Sequence, residues 1–309
     1  MTRWCMGAMV GAALGLVGCG QRAGEPVAVA TAAWAPPSDS AIPEGPLGDA
    51  IRRGRALLID TRDSLPSYAT SSLNCTSCHL DGGRRANAAP LIGVQARFPA
   101  YLTRAGAVVS IEDRINFCFT RSLSGNRLSS DSREMRDIVA YLAFLSRGAP
   151  IGSPPSVAGL EPIPARTPDP VAGGTVYTTV CAACHGADGA GGGVAGSMPR
   201  APALWGPTSY SIGASMARIE RAAAFIRHNM PLAAPGTLTD QQAWDVAAYI
   251  DAKPRPDMPG KDADWPVGGA PDDVPYSTAG RSVSTTPPLL PRATPERALV
   301  PPPPSVRPK

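Results

Sequence analysis

The sequence predicts an all-α fold of two tandem domains built on one plan. Three observations carry that prediction. The chain of 309 residues contains two C-x-x-C-H pentapeptides, Cys75-Thr76-Ser77-Cys78-His79 and Cys181-Ala182-Ala183-Cys184-His185. Each is preceded by a helix-like segment and followed at matched distance by an amphipathic helix: Tyr141 lies 62 residues after His79, and Tyr249 lies 64 after His185. Between these elements the chain is punctuated by many of its 35 prolines and 32 glycines, with no alternating apolar pattern of the kind a sheet needs.

The pentapeptide is the attachment signature of c-type haem. Two cysteines three apart each form a thioether to the macrocycle, and the next histidine sits under the iron. Zinc would need further Cys or His at ligand spacing, and beyond the motifs the sequence offers only His228 and Cys118. Two covalently bound c-type haems are therefore expected, held by Cys75, Cys78 and His79 and by Cys181, Cys184 and His185. Each domain then resembles a class I cytochrome c, with helices wrapped around a macrocycle that supplies apolar core to a small fold.

The elements follow in order. Arg3, the short apolar run from Met6 to Val17 and Leu16-Val17-Gly18-Cys19 read as a lipoprotein-type signal over residues 1–18, with Cys19 as lipid anchor. The run is too short to span a bilayer. Periplasmic location is expected, with the membrane reached by the lipid anchor only. Residues 19–46 read as a flexible tether. Domain 1 covers 47–148, with a helix over 49–58 and a closing helix over 131–146, where Met135, Ile138, Val139, Leu142 and Leu145 recur at helical spacing. A Pro-rich linker covers 149–167. Domain 2 covers 168–254, with a helix over 169–180 and a closing helix from the N-cap Thr239 to about Asp251. Residues 255–309, rich in Pro, Ser, Gly and charge, read as a disordered tail.

Charge excludes more than it includes. The formal net charge of +4 is reduced by two propionates on each haem, and no basic patch stands out, so no nucleic-acid role is expected.

Each iron has a far side. For the second haem, Met230 in His228-Asn229-Met230-Pro231 is the expected ligand, ahead of Met198, Met216, Met258 and His228. His/Met ligation gives a raised potential. The first half has no Met in a comparable loop. Instead Ser110-Ile111-Glu112-Asp113 reads as a capping box opening a helix that carries Arg114, Cys118 and Arg121. Cys118 is the one cysteine left without a task. A buried inert thiol is one explanation; ligation of the first iron is the better one, because it also accounts for the missing Met.

Four stretches carry a resemblance to a known family: Ser77-Cys78-His79-Leu80-Asp81-Gly82-Gly83, Phe98-Pro99-Ala100-Tyr101-Leu102-Thr103-Arg104-Ala105-Gly106, Ile111 through Ser122, and Tyr141 through Ser146. The chain resembles the di-haem thiosulfate dehydrogenases, and its N-terminal half is similar to the haem subunit of the Sox complex. That resemblance implies coupling of two thiosulfates to tetrathionate at a His/Cys-ligated first haem. It also implies electron exit through the second haem to a soluble cytochrome c or similar acceptor. Arg104 and Arg114 match the family's substrate-binding arginines, Ser122 matches a family serine able to donate to the same anion, and Cys118 matches its ligating cysteine. Asn229 stands where some relatives place a Lys. A non-catalytic di-haem electron carrier, a tetrathionate reductase and a Sox-type subunit are the competing readings.

Overall fold

The computed structural model describes residues 34–152, 156–192 and 200–283. The signal segment, Cys19 and residues 284–309 lie outside the described residues. No described helix is long and apolar enough to cross a membrane.

Domain 1 is closed by two helices. Helix α1 (Pro46–Ile59) starts with Pro at its first position, where the missing N–H costs nothing. Helix α2 (Ile111–Phe117) opens on the expected capping box: Ser110 Oγ accepts from Asp113 N at 3.2 Å, and Asp113 Oδ2 accepts from Ser110 N at 3.3 Å. It runs into a π-helical turn, Cys118–Ser122. Helix α3 (Arg133–Phe144) is capped by Ser132 and buries Met135, Ile138, Tyr141, Leu142 and Phe144. A two-stranded hairpin pairs β1 (Ala100–Leu102) with β2 (Ala107–Val109), and its turn carries Arg104.

Domain 2 repeats the plan. Helix α4 (Pro170–Val176) is capped by Asp169 and continues through a π-helical turn into Cys181. Helix α5 (Ile219–Asn229) ends at Met230, and α6 (Asp240–Asp251) opens on the Thr239–Gln242 capping box.

Both domains are closed at a glycine. A Cβ on Gly54 of α1 would lie 1.9 Å from the carbonyl oxygen of Asp137 in α3. A Cβ on Gly173 of α4 would lie 2.0 Å from the carbonyl oxygen of Asp245 in α6. The helix pairs therefore touch backbone to backbone. The two aspartates are buried and satisfied: Asp137 by a bidentate pair with Arg53 at 2.7 and 2.9 Å, and Asp245 by Asp169 N and Gln241 Nε2, both at 2.7 Å.

The domains are welded through the 203–217 loop. Ser72 N donates to Thr208 O at 2.7 Å, and Ser211 N to Arg121 O at 3.1 Å. Ala203 N donates to Ser72 Oγ at 2.8 Å. Tyr210, Ala214 and Ala217 of domain 2 belong to the apolar core of domain 1.

Two expectations are corrected, and the linker gains a contact. The tether reading fails for residues 34–46: Trp34 Nε1 donates to Arg147 O at 2.8 Å, and Asp39 pairs with Arg84 at 2.7 Å. The linker is docked as well, with Trp244 Nε1 donating to Pro164 O at 3.0 Å. The disordered-tail reading fails for 255–283. Met258, Trp265, Val274 and Tyr276 are buried, Ile212 N donates to Pro256 O at 2.9 Å, and Trp265 N donates to Arg104 O at 2.8 Å. Their apolar anchors sit at irregular intervals, so no periodicity announces them, yet they supply enough buried area to hold the segment as a strap.

The helix contact at Gly54 gives a direct test. Gly54→Ala inserts a methyl against a carbonyl that cannot move without dragging α3, and it is expected to cost roughly 2 kcal/mol by overpacking. A thermal-unfolding midpoint equal to that of the wild type would contradict this packing.

Candidate functional site

The first C-x-x-C-H motif opens a narrow, mainly apolar cavity. Leu58, Leu73, Leu91, Ile115, Phe119, Leu123, Ile138 and Leu142 wall it, with Cys75, Cys78, His79, Cys118 and Ser122 among its polar lining. His79 Nδ1 lies 2.5 Å from Ala89 O, and a carbonyl only accepts, so Nδ1 carries the proton and Nε2 is free to ligate. Ala89 has φ +46°, which turns its segment back over the histidine.

Cys118 stands at the end of α2, where the helix widens into its π turn. Arg114, one turn earlier, donates from Nη1 to Cys118 Sγ at 3.1 Å. His79 lines the same cavity as this sulfur. Burial pushes the Cys118 thiol up, but the adjacent Arg114 charge works against it and the thiol comes down to about 6. Cys75 and Cys78 behave oppositely: burial pushes each up to about 12. At neutral pH Cys118 is thus the thiolate of the site. Ser122, one turn further on, lines the same cavity.

Arg104 is placed differently from Arg114. Its Nε and Nη2 face Asp264 Oδ2 at 2.9 and 2.8 Å, and Nη2 also donates to Gly213 O at 2.7 Å and Tyr276 Oη at 2.6 Å. Arg121 shares the same carboxylate, Nη2 to Asp264 Oδ1 at 2.5 Å. The structure therefore brings Cys118, Arg114, His79 and Ser122 together and sets Arg104 in an adjoining ionic cluster. Asp264 and Tyr276 were invisible to sequence reasoning, because they lie in the segment taken for a tail.

The second motif opens a cavity of about 640 Å³, lined by Cys181, Cys184, His185, Met216, Met230 and Pro231. His185 Nδ1 lies 2.9 Å from Pro202 O, which again leaves Nε2 free. Met230 is delivered by the C-terminal end of α5, and the neighbouring Asn229 is anchored by Nδ2 to Asn87 O at 2.7 Å. His228 turns away, its Nε2 3.1 Å from Glu161 O. Met258 is packed against Gly213, and Met198 lies outside the described residues. Thr76, Ser77 and Leu80 of domain 1 line this cavity too, so its edge abuts the first attachment motif.

Both sites suit a c-type haem: paired cysteines and a histidine whose tautomer is fixed with Nε2 free, with a mainly apolar lining at the first and a mixed one at the second. Among the described residues no group of three or more His, Cys, Asp or Glu could hold a metal ion.

Comparison with known proteins gives the same division. The SoxA/TsdA cytochrome c domain matches residues 67–151, and the Cytochrome c domain matches 170–253. Over 231 residues the chain is 44% identical to a thiosulfate dehydrogenase of Allochromatium vinosum, covering 73% of this chain and 86% of that one. The chain belongs to the thiosulfate dehydrogenase family. A second member, from Psychrobacter arcticus, is 40% identical over 77% of this chain and 73% of its own length. The solved thiosulfate dehydrogenase (TsdBA) of Marichromatium purpuratum superposes with a TM-score of 0.67 at 39% identity; the match covers 77% of this chain and 53% of that chain. Two cytochrome c domains carry two c-type haems, as the two motifs require.

Replacing both Cys181 and Cys184 by Ala is expected to leave a chain with one covalent haem, read by intact mass and by haem content. Two haems in that variant would contradict the assignment of the second motif.

Proposed function

We propose that this chain oxidatively couples two thiosulfates to tetrathionate at the first haem site and sends the electrons out through the second. The observation that supports the reading is the Arg114–Cys118 pair: a half-buried cation and a thiolate sulfur, 3.1 Å apart, with the sulfur lining the same apolar cavity as His79. In this reading His79 and Cys118 are the ligands of the first iron, and His185 and Met230 those of the second. When bound, the two haems supply two one-electron acceptors.

The reaction joins the terminal sulfurs of two thiosulfates, so one S–S bond forms, two electrons leave and no proton is required. Its difficulty is electrostatic. Each pair of unit charges 4 Å apart repels by about 4 kcal/mol at a protein surface, and two dianions contain four such pairs. Arg114 offsets part of this, its guanidinium fork matching the oxygens of a sulfonate. Arg104 and Ser122 are the further binding groups, Ser122 as a neutral donor on the Cys118 wall. The apolar lining around Cys118 and Ser122 limits water there, which strengthens the contacts made inside the cavity.

Residues around Met230 support a role in electron exit. The cavity they line reaches the first attachment motif at Thr76, Ser77 and Leu80, which gives a short route between the centres. A soluble cytochrome c or similar carrier is the proposed acceptor. Export and a lipid anchor at Cys19 are proposed from the signal sequence alone.

Two experiments test this reading on haem-loaded protein. Wild type should reduce an artificial acceptor with thiosulfate and release tetrathionate, whereas Cys118→Gly and Arg114→Gln should each lose about a hundredfold or more in kcat. Undiminished variants would sink the site assignment, and an inactive wild type would sink the activity. Met230→Ala should lower the midpoint potential of the second haem and leave the first unchanged; an unaltered second potential would exclude Met230 as its ligand.

A further inference from the structure

The strap contributes a carboxylate that the proposed reaction does not obviously need. Asp264 is only 4% exposed at its side chain, and it is held by three groups at once. Arg104 pairs with Oδ2 at 2.8 Å, Tyr276 donates to Oδ2 at 2.7 Å, and Arg121 donates to Oδ1 at 2.5 Å. The backbone is fixed with it. Trp265 N donates to Arg104 O at 2.8 Å, the Arg104 guanidinium lies 4.8 Å over the Trp265 ring, and a Cβ on Gly106 would meet Pro266 Cγ at 2.4 Å. Trp265 itself takes φ +52°, a left-handed conformation costly for a bulky residue and held here by its surroundings.

This cluster joins the hairpin turn of domain 1, the π turn that starts at Cys118, the Gly213 loop and the strap. Arg121 lies three residues after Cys118 and packs 4.3 Å over the Phe117 ring. Two guanidiniums pressed together repel, and without a carboxylate between them each would swing toward water. Asp264 removes that repulsion while leaving the cluster one positive charge in surplus. Arg121 Nε is buried and, among the described residues, has no hydrogen-bond partner. A buried unpaired N–H in a cationic cluster is a donor prepared for an anionic oxygen.

We infer that Asp264, assisted by Tyr276, is a positioning residue for the first site: it fixes Arg104 and Arg121 as a rigid cationic pair that receives an anionic oxygen of the substrate. The strap is then a third part of that site, supplied by the C-terminal side of domain 2. This inference rests on the reading that thiosulfate is oxidised at the first haem.

The test uses the full-length, haem-loaded protein. Asp264→Asn is expected to raise the KM for thiosulfate roughly tenfold, with kcat within about twofold and both haem midpoint potentials unchanged. Because the carboxylate acts through the two arginines, the same substitution in a background carrying both Arg104→Gln and Arg121→Gln should change KM by less than about twofold. Hydrogen exchange at residues 100–109 should rise in Asp264→Asn, a readout independent of turnover. If Asp264→Asn does not load haem, Tyr276→Phe takes its place, with a smaller rise in KM expected.

An unchanged KM would overturn the inference, as would an equal loss in both backgrounds. A shifted first-haem potential with KM unchanged would overturn it too, identifying the cluster as an anchor for a haem propionate. Should wild type fail to oxidise thiosulfate, the proposed activity falls; unchanged hydrogen exchange in Asp264→Asn would then separately refute the positioning role.

Discussion

Each domain has to bring two helices close enough to close a pocket around a covalently held group, and backbone contact at a single glycine is what permits it. At Gly54 and at Gly173 the absent side chain lets the first helix rest on the carbonyl of an aspartate in the closing helix. Everything downstream follows from that approach. Tyr141, on the helix that Gly54 touches, donates to Gly82 O at 2.8 Å beside the first motif. Tyr177, at the end of the helix that carries Gly173, donates to Gly186 O at 2.6 Å beside the second. One packing solution, used twice, braces the attachment-motif side of both haem sites.

The domains diverge on the distal side, and the divergence separates their chemistry. In domain 1 a capped helix presents Cys118 and Arg114 one turn apart, so a sulfur and its counter-charge arrive together. In domain 2 a helix ends at Met230 and carries no buried cation into the cavity; His228 is spent on a backbone carbonyl. A charged, thiolate-bearing pocket suits work on an anionic sulfur compound. The second cavity, whose mixed lining includes the Met230 thioether together with several Arg and Asp side chains, reaches across to the first motif.

Much of this was legible in the sequence, for physical reasons that also explain what was not. The helices could be read because caps such as Ser110 and Thr239 and apolar residues at 3.6-residue spacing are local signals. The haem motifs could be read because covalent chemistry leaves little freedom in residue type. Asp264 could not be read. Its salt bridge to Arg104 links positions 160 apart in the chain, and the anchors that bring it there, Trp265, Val274 and Tyr276, follow no period. Composition alone made the strap look like a tail, because a segment rich in Pro and Gly can still be ordered by a few buried side chains and one buried charge. The docking of residues 34–46 and of the linker escaped notice for the same reason.

The most direct test of the account is an anaerobic titration of the fully oxidised protein with thiosulfate, with no external acceptor present. Two thiosulfates should reduce both haems of one molecule and yield one tetrathionate, because coupling releases two electrons and the chain has two places to put them. Haems that stay oxidised, or that are reduced without tetrathionate appearing, would contradict it.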